Sequence, residues 1–244
     1  MAAFADADTV KFGAAYVLTL SSFTPPLILY NLKRLYGDAV RLPSAGTIAK
    51  RSAAMMPRHV VFRSAQYVLA TEVKQRSSSP WLAFAAIGVT QGLVYGDLAA
   101  QWNRLLNITK TKASPIRGSP FAAARDMISQ GVPFLVGQHV SGAAAVPAVV
   151  GASVASTVLS HGLHNAQTVM QMNPSLGHVA AVRELYATHG VKAMYRGALS
   201  RMLLMGVTNA LNHLLLRHAW QASSDARASS SAPAIDYADV AEME

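Results

Sequence analysis

The chain has 244 residues, of which 52% are hydrophobic and only 14% are charged. Soluble domains carry about 25% charged residues, so this composition favours a membrane protein. The absence of cysteine excludes disulfides and thiolate metal sites, and the net charge of +9 is concentrated in a few loops, which argues against a nucleic-acid-binding surface.

Six apolar stretches approach the length of about 20 residues that crosses the hydrocarbon of a bilayer. They are predicted at residues 13–32, 53–70, 77–96, 133–150, 152–172 and 199–216. Gly151 is predicted to form a tight turn between the fourth and fifth spans. The second span is the weakest because it contains Arg58 and Arg63, and charged groups at that depth usually face an interior cavity.

The basic residues follow the predicted spans in alternation. Every loop after an odd-numbered span is basic, whereas the loops after spans two and four are short and nearly neutral. The positive-inside rule then places the odd loops on the matrix or cytoplasmic side and both termini on the opposite side.

A short pattern occurs twice. Arg183-Glu184 is followed by Gly190, by the step Tyr195-Arg196-Gly197 and by an apolar run, and the earlier copy is Arg125-Asp126, Gly131, Gly137 and an apolar run. Two copies of one unit indicate an internal repeat of a short amphipathic helix, a glycine turn and a membrane-length helix.

This unit resembles the repeat of the mitochondrial carrier family. The resemblance implies an all-α membrane protein with six transmembrane helices in three tandem helix-hairpin repeats. The repeats would span residues 1–76, 77–150 and 151–220, followed by an acidic tail, 221–244, that is disordered or bound to a partner. It also implies a multi-pass protein of the mitochondrial inner membrane with its termini towards the intermembrane space.

The charged gates of that family are largely missing. In that family each odd-numbered helix ends with a proline, an acid and a base, and the acids and bases pair between helices to close a gate. Here the first span keeps Pro26 but neither the acid nor the base. The third span keeps only the acid, Asp97, and the fifth has changed at all three positions. Switching between two closed states needs contacts that differ between them. We therefore expect a carrier-like structural or accessory subunit of an inner-membrane complex, such as a respiratory or ATP synthase complex. The residues predicted to line a cavity or vestigial gate are Arg58, Arg63, Asp97, His164 and Gln167.

Two alternatives remain open at this stage: an active metabolite transporter with a divergent gate, and an unrelated six-helix membrane protein. The sequence shows no phosphate-binding loop, no nucleophile elbow and no paired-carboxylate site, so we do not expect an enzyme. His161 and His164 could share a helix face, but no third ligand accompanies them, and a packed histidine pair is favoured over a metal site.

We expect no cofactor, and the resemblance implies only a structural lipid, cardiolipin. Exposed backbone N–H groups at a helix start suit a phosphate. The expected partners are the bilayer, cardiolipin and other subunits of the complex. An alternative is that Gly197 serves only a turn. The predicted cardiolipin-binding residues are Tyr195, Arg196, Gly197, Gly137, Gly131 and Gly190.

Overall fold

The computed structural model describes residues 43–77, 79–90, 118–173 and 175–231, together with isolated positions between 14 and 37. All regular structure in these residues is helical. The elements are α1 (Ala45–Ser77), α2 (Pro80–Thr90), α3 (Ser119–Asp126), a π-helix (Met127–Gly131), α4 (Val132–His139), a 3-10 turn (Gly142–Ala144), α5 (Ala145–Met172), α6 (His178–His189), a second 3-10 turn (Val191–Tyr195) and α7 (Ala198–Ser231).

Helix α5 is the centre of the described fold, and α7 packs along it. His161 and Asn165 of α5 bond to the carbonyl of Arg196, just before α7 begins, whereas Ser153 bonds to Asn209 further along α7. Because the α7 numbers rise as the α5 numbers fall, the two helices are antiparallel.

The first amphipathic unit forms one nearly continuous rod. Gly118, at φ 81°, precedes α3, and Pro120 occupies its first turn, where a missing N–H costs nothing. The π-helix then leads directly into α4, because Gly131 and Val132 keep helical dihedral angles. The rod ends at Val140, whose extended backbone separates it from the following 3-10 turn.

The second amphipathic unit is broken instead. Helix α6 ends at Gly190, whose φ of 61° and ψ of −160° lie in a region that is almost exclusive to glycine. One face of α6 buries Ala181 and Leu185 against α5. This cluster also contains Leu35, Ala166, Val169, Met170 and Ala193.

The predicted fold of six transmembrane helices in three carrier repeats is wrong. Among the described residues, one helix, Gly142–Met172, is long and apolar enough to cross a bilayer. The predicted turn at Gly151 lies inside α5, so the boundary between the second and third repeats at residues 150 and 151 falls within one helix. The chain breaks earlier, where Val140 and Ser141 are extended.

The other predicted spans also differ from the structure. The second lies within α1, which carries Lys50, Arg51 and Arg58, and the described part of the third is the short helix α2. Most of the first span and residues 91–96 lie outside the described residues. The predicted membrane orientation of the loops and termini was inferred from alternation between six spans. It therefore does not follow from this fold.

Part of the predicted acidic tail is helical. Helix α7 continues past Trp220 to Ser231, so it includes residues 221–231. Residues 232–244 lie outside the described residues.

Candidate polar seam between the helices

Buried polar side chains line the contacts between α3, the π-helix, α5 and α7. We call this set the polar seam. Its members are Arg125, Asp126, Ser129, Gln130, Ser153, Ser156, Thr157, Ser160, His161, Asn165, Gln167, Thr168, Thr208, Asn209 and Asn212. Polar groups are costly to bury unless they are hydrogen-bonded, so the bonds of the seam decide what it can do.

The middle of the seam is organised by a proline. Pro133 has no N–H, so the carbonyl of Ser129, four residues earlier, lacks its α-helical donor. The backbone of residues 127–131 is a π-helix, and Asn209 Nδ2 of α7 donates to the Ser129 carbonyl at 3.2 Å. The same amide nitrogen donates to Ser153 Oγ at 3.1 Å. Asn209 therefore joins the π-helix, α5 and α7 at one point.

A buried ion pair lies at the N-terminal side of the π-helix. Arg125 Nε contacts Asp126 Oδ1 at 2.6 Å, and the two side chains are 3% and 1% exposed. Arg125 Nη1 also donates to Gln167 Oε1 of α5 at 2.7 Å and lies 3.4 Å from His164 Nδ1. Because an arginine can only donate, His164 accepts through Nδ1. The guanidinium thus ties α3 to α5.

At the same level of α5, other side chains hold the turn that precedes α7. Asn165 Nδ2 donates to the carbonyls of Ala193 and Arg196 at 2.7 and 3.2 Å. His161 Nε2 lies 2.7 Å from the Arg196 carbonyl. A carbonyl only accepts, so Nε2 must carry the proton of this imidazole. Gly162 lets the side chain of Met194 lie directly against α5 in the same region.

Several seam hydroxyls bond within their own helix. Ser153, Ser156 and Ser160 donate to the carbonyls of Val149, Ser153 and Thr157, and Thr208 donates to that of Leu204. Such bonds satisfy a hydroxyl that is kept away from water. They allow α5 and α7 to face each other through small polar side chains.

Apolar side chains cover the opposite faces. On α7, Leu199, Leu203 and Val207 are exposed and four residues apart, so they share one face of the helix. On α5, Leu159 is 77% exposed, and Pro147, Gly151 and Ala155 continue the same face. Along residues 147–159 of α5 and 199–207 of α7 the outward face is thus without polar side chains, unlike a helix surface that faces water.

Among the described side chains, two of the five predicted gate residues come together. His164 and Gln167 both contact Arg125. Arg58 is exposed on α1, and the side chain of Arg63 and all of Asp97 lie outside the described residues. Sequence reasoning missed Arg125, Asp126 and Asn209 as site residues. The available signal was Pro133, which removes the donor for the Ser129 carbonyl and so indicates a compensating side chain.

The predicted cardiolipin residues divide into two groups. Gly190 and Gly197 have φ values of 61° and 81° and flank the turn that contains Tyr195 and Arg196, both exposed. Gly131 and Gly137 instead lie within helices, where a Cβ would meet the rings of Phe84 and His213. Neither of these two glycines offers the exposed helix start that the prediction required. The structure leaves the cardiolipin prediction at Tyr195, Arg196, Gly197 and Gly190 open.

The seam is suited to joining helices. The described residues contain no group of three histidine or carboxylate side chains placed to hold a metal. Comparison with protein-family models, curated proteins and solved structures finds no match to the chain. The resemblance to mitochondrial carriers therefore rests on the short motifs quoted above.

Proposed function

We propose that this chain is an integral membrane protein with a structural role, an accessory subunit of an inner-membrane assembly in mitochondria. The observation that carries the proposal is the apolar outward face of α5 and α7, combined with the polar seam on their packing side. In lipid, helices gain little from apolar contact with each other, and they associate through small and polar residues. The bilayer covers the outward faces.

Helix α5 fits this role in length and exposure. Ala145–Met172 has 28 residues, or about 42 Å at 1.5 Å per residue, which exceeds the roughly 30 Å hydrocarbon core. Only 28% of its most apolar stretch is buried in the protein. The central helix of a soluble protein would be mostly buried, so this exposure favours lipid as the surroundings.

Helix α7 is proposed to accompany α5 in the bilayer. Polar residues interrupt its apolar run, but Asn209, Asn212 and Thr208 are buried in the seam. The residues that would meet lipid are Leu199, Leu203 and Val207. Between Leu199 and Asn212 the asparagines and Thr208 of α7 thus lie on its packing side, while its outer face stays apolar.

A structural role is favoured over transport for two reasons. The seam is tied across its elements by Asn209 and Arg125, so sliding α5 past its neighbours would break several buried bonds at once. The sequence also lacks most of the gate charges on which carrier switching depends. The mitochondrial location and the partner complex rest on the sequence resemblance and are tested directly below.

Fractionation tests the proposal. Full-length protein should stay with mitochondrial inner membranes after alkaline carbonate extraction, and in mild detergent it should migrate with a large complex on native gels. Val207→Asp, on the outer face of α7, should weaken membrane retention, whereas the same substitution at the exposed Val179 of α6 serves as the matched charge control. Release of the wild-type protein by carbonate would refute membrane integration.

Transport is tested separately in liposomes. Reconstituted protein should not exchange nucleotides, phosphate or carboxylates, because the bonded seam does not open. Saturable exchange of any of these solutes would favour the transporter alternative.

A further inference from the structure

A cavity of about 480 Å³ lies beside the turn that precedes α7. Its volume falls in the range of small-molecule sites. It is half-open and is bordered by described residues between 34 and 37, by α6 and by the end of α5. The lining residues are Arg34, Leu35, Gly37, Val169, Glu184, Leu185, Thr188, His189 and Arg196.

Arg196 supplies a preorganised cationic group in this cavity. Its Nη1 donates to the carbonyl of Arg34 at 3.3 Å and to His189 Nδ1 at 3.2 Å. The guanidinium has five N–H donors, so others remain for a ligand. Since His189 accepts through Nδ1, its neutral imidazole carries a donor on Nε2. No described carboxylate pairs with Arg196.

A second guanidinium lines the cavity. Arg34 Nε donates to the hydroxyl of Tyr30 at 2.9 Å, and its guanidinium lies over the Tyr30 ring. These contacts hold the side chain without neutralising it. The cavity therefore has two arginines that form no ion pair with any described residue.

Glu184 places a carboxylate in the same cavity. It forms no ion pair within the described part of the chain, although Arg34 and Arg196 line the same space. Leu35, Val169 and Leu185 contribute apolar surface between these groups. The cavity thus presents positive and negative side chains that leave each other unpaired, together with an apolar wall.

We propose that this cavity binds a zwitterion with a phosphate and a primary ammonium group, the chemistry of a phosphatidylethanolamine headgroup. Arg196 and His189 donate to the phosphate oxygens, the ammonium donates to Glu184, and the apolar wall contacts the glycerol stem. A headgroup with phosphate alone would place negative charge beside Glu184. A phosphatidylcholine headgroup has no N–H to donate. The claim that the zwitterion is part of a lipid rests on the proposed membrane role, whereas the binding chemistry of the cavity does not.

Binding to purified full-length protein in detergent tests this assignment. Short-chain phosphatidylethanolamine, phosphatidylcholine, phosphatidylglycerol and cardiolipin are titrated separately, and Kd is measured. Ethanolamine lipid should bind about fivefold more tightly than choline lipid, because charge-assisted bonds at a half-open site each contribute modestly. Soluble glycerophosphoethanolamine is the companion probe. Competition by it identifies the headgroup as sufficient, and its failure to compete identifies the lipid as the source.

Three variants locate the site. Glu184→Gln should remove the preference for ethanolamine over choline while keeping phosphate binding, and Arg196→Gln should weaken both lipids by a similar factor. Arg183→Gln, next to Glu184 in sequence but outside the lining, should change neither. The unliganded melting temperature of each variant checks folding.

Equal binding of all four lipids would overturn the proposal. So would tighter binding of cardiolipin that strengthens further in Glu184→Gln, since that result describes a simple anion site. The soluble probe separates this failure from failure of the membrane role, because it can bind whether or not the protein enters a bilayer.

Discussion

Residues 125–137 and 183–197 carry the same order of side chains, an arginine, an acid and then two glycines, but their backbones follow different paths. The first stretch passes from α3 through the π-helix into α4 with no break. The second leaves helix at Gly190, makes a 3-10 turn and restarts at Ala198. A shared pattern of residue types has therefore given two local structures.

The charged pairs differ as much as the backbones. Arg125 and Asp126 are buried in contact with each other and with α5. Arg183 and Glu184 are exposed on α6. The arginine–acid pair is a fixed part of the interior in one stretch and lies outside the helix contact in the other, because α3 packs its charged end onto α5 whereas α6 packs through Ala181 and Leu185.

The glycines differ in what they provide. Gly131 and Gly137 keep helical geometry and let Phe84 and His213 approach the backbone. Gly190 has open space around its Cβ position but requires a positive φ. A glycine pair at similar spacing can thus serve close packing or a sharp turn, and the neighbours decide which.

The largest expected effect separates the two charged pairs. Arg125→Gln should lower the free energy of unfolding by about 3–5 kcal/mol, because it leaves the buried Asp126 carboxylate without its guanidinium. Arg183→Gln should change stability little, as is usual at an exposed site. Thermal unfolding of the two variants in the same detergent measures the difference. Equal losses would mean that both pairs are equally buried.

The glycines give the next largest effects, with different rescues. Gly131→Ala and Gly190→Ala should each cost about 1–3 kcal/mol, the first by a clash with Phe84 and the second by backbone strain. Adding Phe84→Ala should recover stability in the first case and not in the second. Gly190→Asn should be destabilised as Gly190→Ala is, since ψ of −160° lies outside the left-handed helical region that asparagine tolerates.

Melting temperatures of these variants and of Phe84→Ala alone form a double-mutant cycle. A rescue of Gly190→Ala by Phe84→Ala would contradict the distinction between packing and turn glycines.

The π-helix is tested through Asn209. Asn209→Leu should cost about 1–2 kcal/mol, because the Ser129 carbonyl loses the donor that replaces the one missing at Pro133. Adding Pro133→Ala restores an N–H four residues after Ser129 and should recover part of the loss. Val207→Leu, on the outer face of α7, is the control. Further loss in the double variant would show that Pro133 stabilises the rod by another route.

The sequence predicted the second unit better than the first. An amphipathic helix ending near Gly190, then Tyr195-Arg196-Gly197, then a long helix, is what α6, the 3-10 turn and α7 form. The signals were local: an apolar face, a glycine at the helix end, and a basic turn. Ser141-Gly142 is a comparable turn signal just after Val140, but no local signal marked the continuity of α5 through Gly151.

The polar seam could be predicted only in part. His164 and Gln167 stood out as polar groups in an apolar run, but their partner Arg125 is 42 residues from Gln167 in the chain. Pairing across that distance depends on how α3 docks on α5, which periodicity does not report. The six-span prediction failed for a related reason, because it counted apolar length without knowing where the helices break.

The smallest expected effect tests whether the helix is continuous at Gly151, with the chain breaking instead at Val140 and Ser141. Gly151 lies within α5 in helical structure, is exposed and has nothing within 4 Å of its Cβ position. Gly151→Ala should therefore stabilise the protein slightly, by up to about 1 kcal/mol, since alanine loses less backbone freedom in a helix. If Gly151 formed the turn predicted from the sequence, alanine would destabilise it as it does at Gly190. A small rise in melting temperature for Gly151→Ala, measured beside the fall for Gly190→Ala, would support one continuous helix from Ala145 to Met172, and a fall in both would restore the break at residue 151.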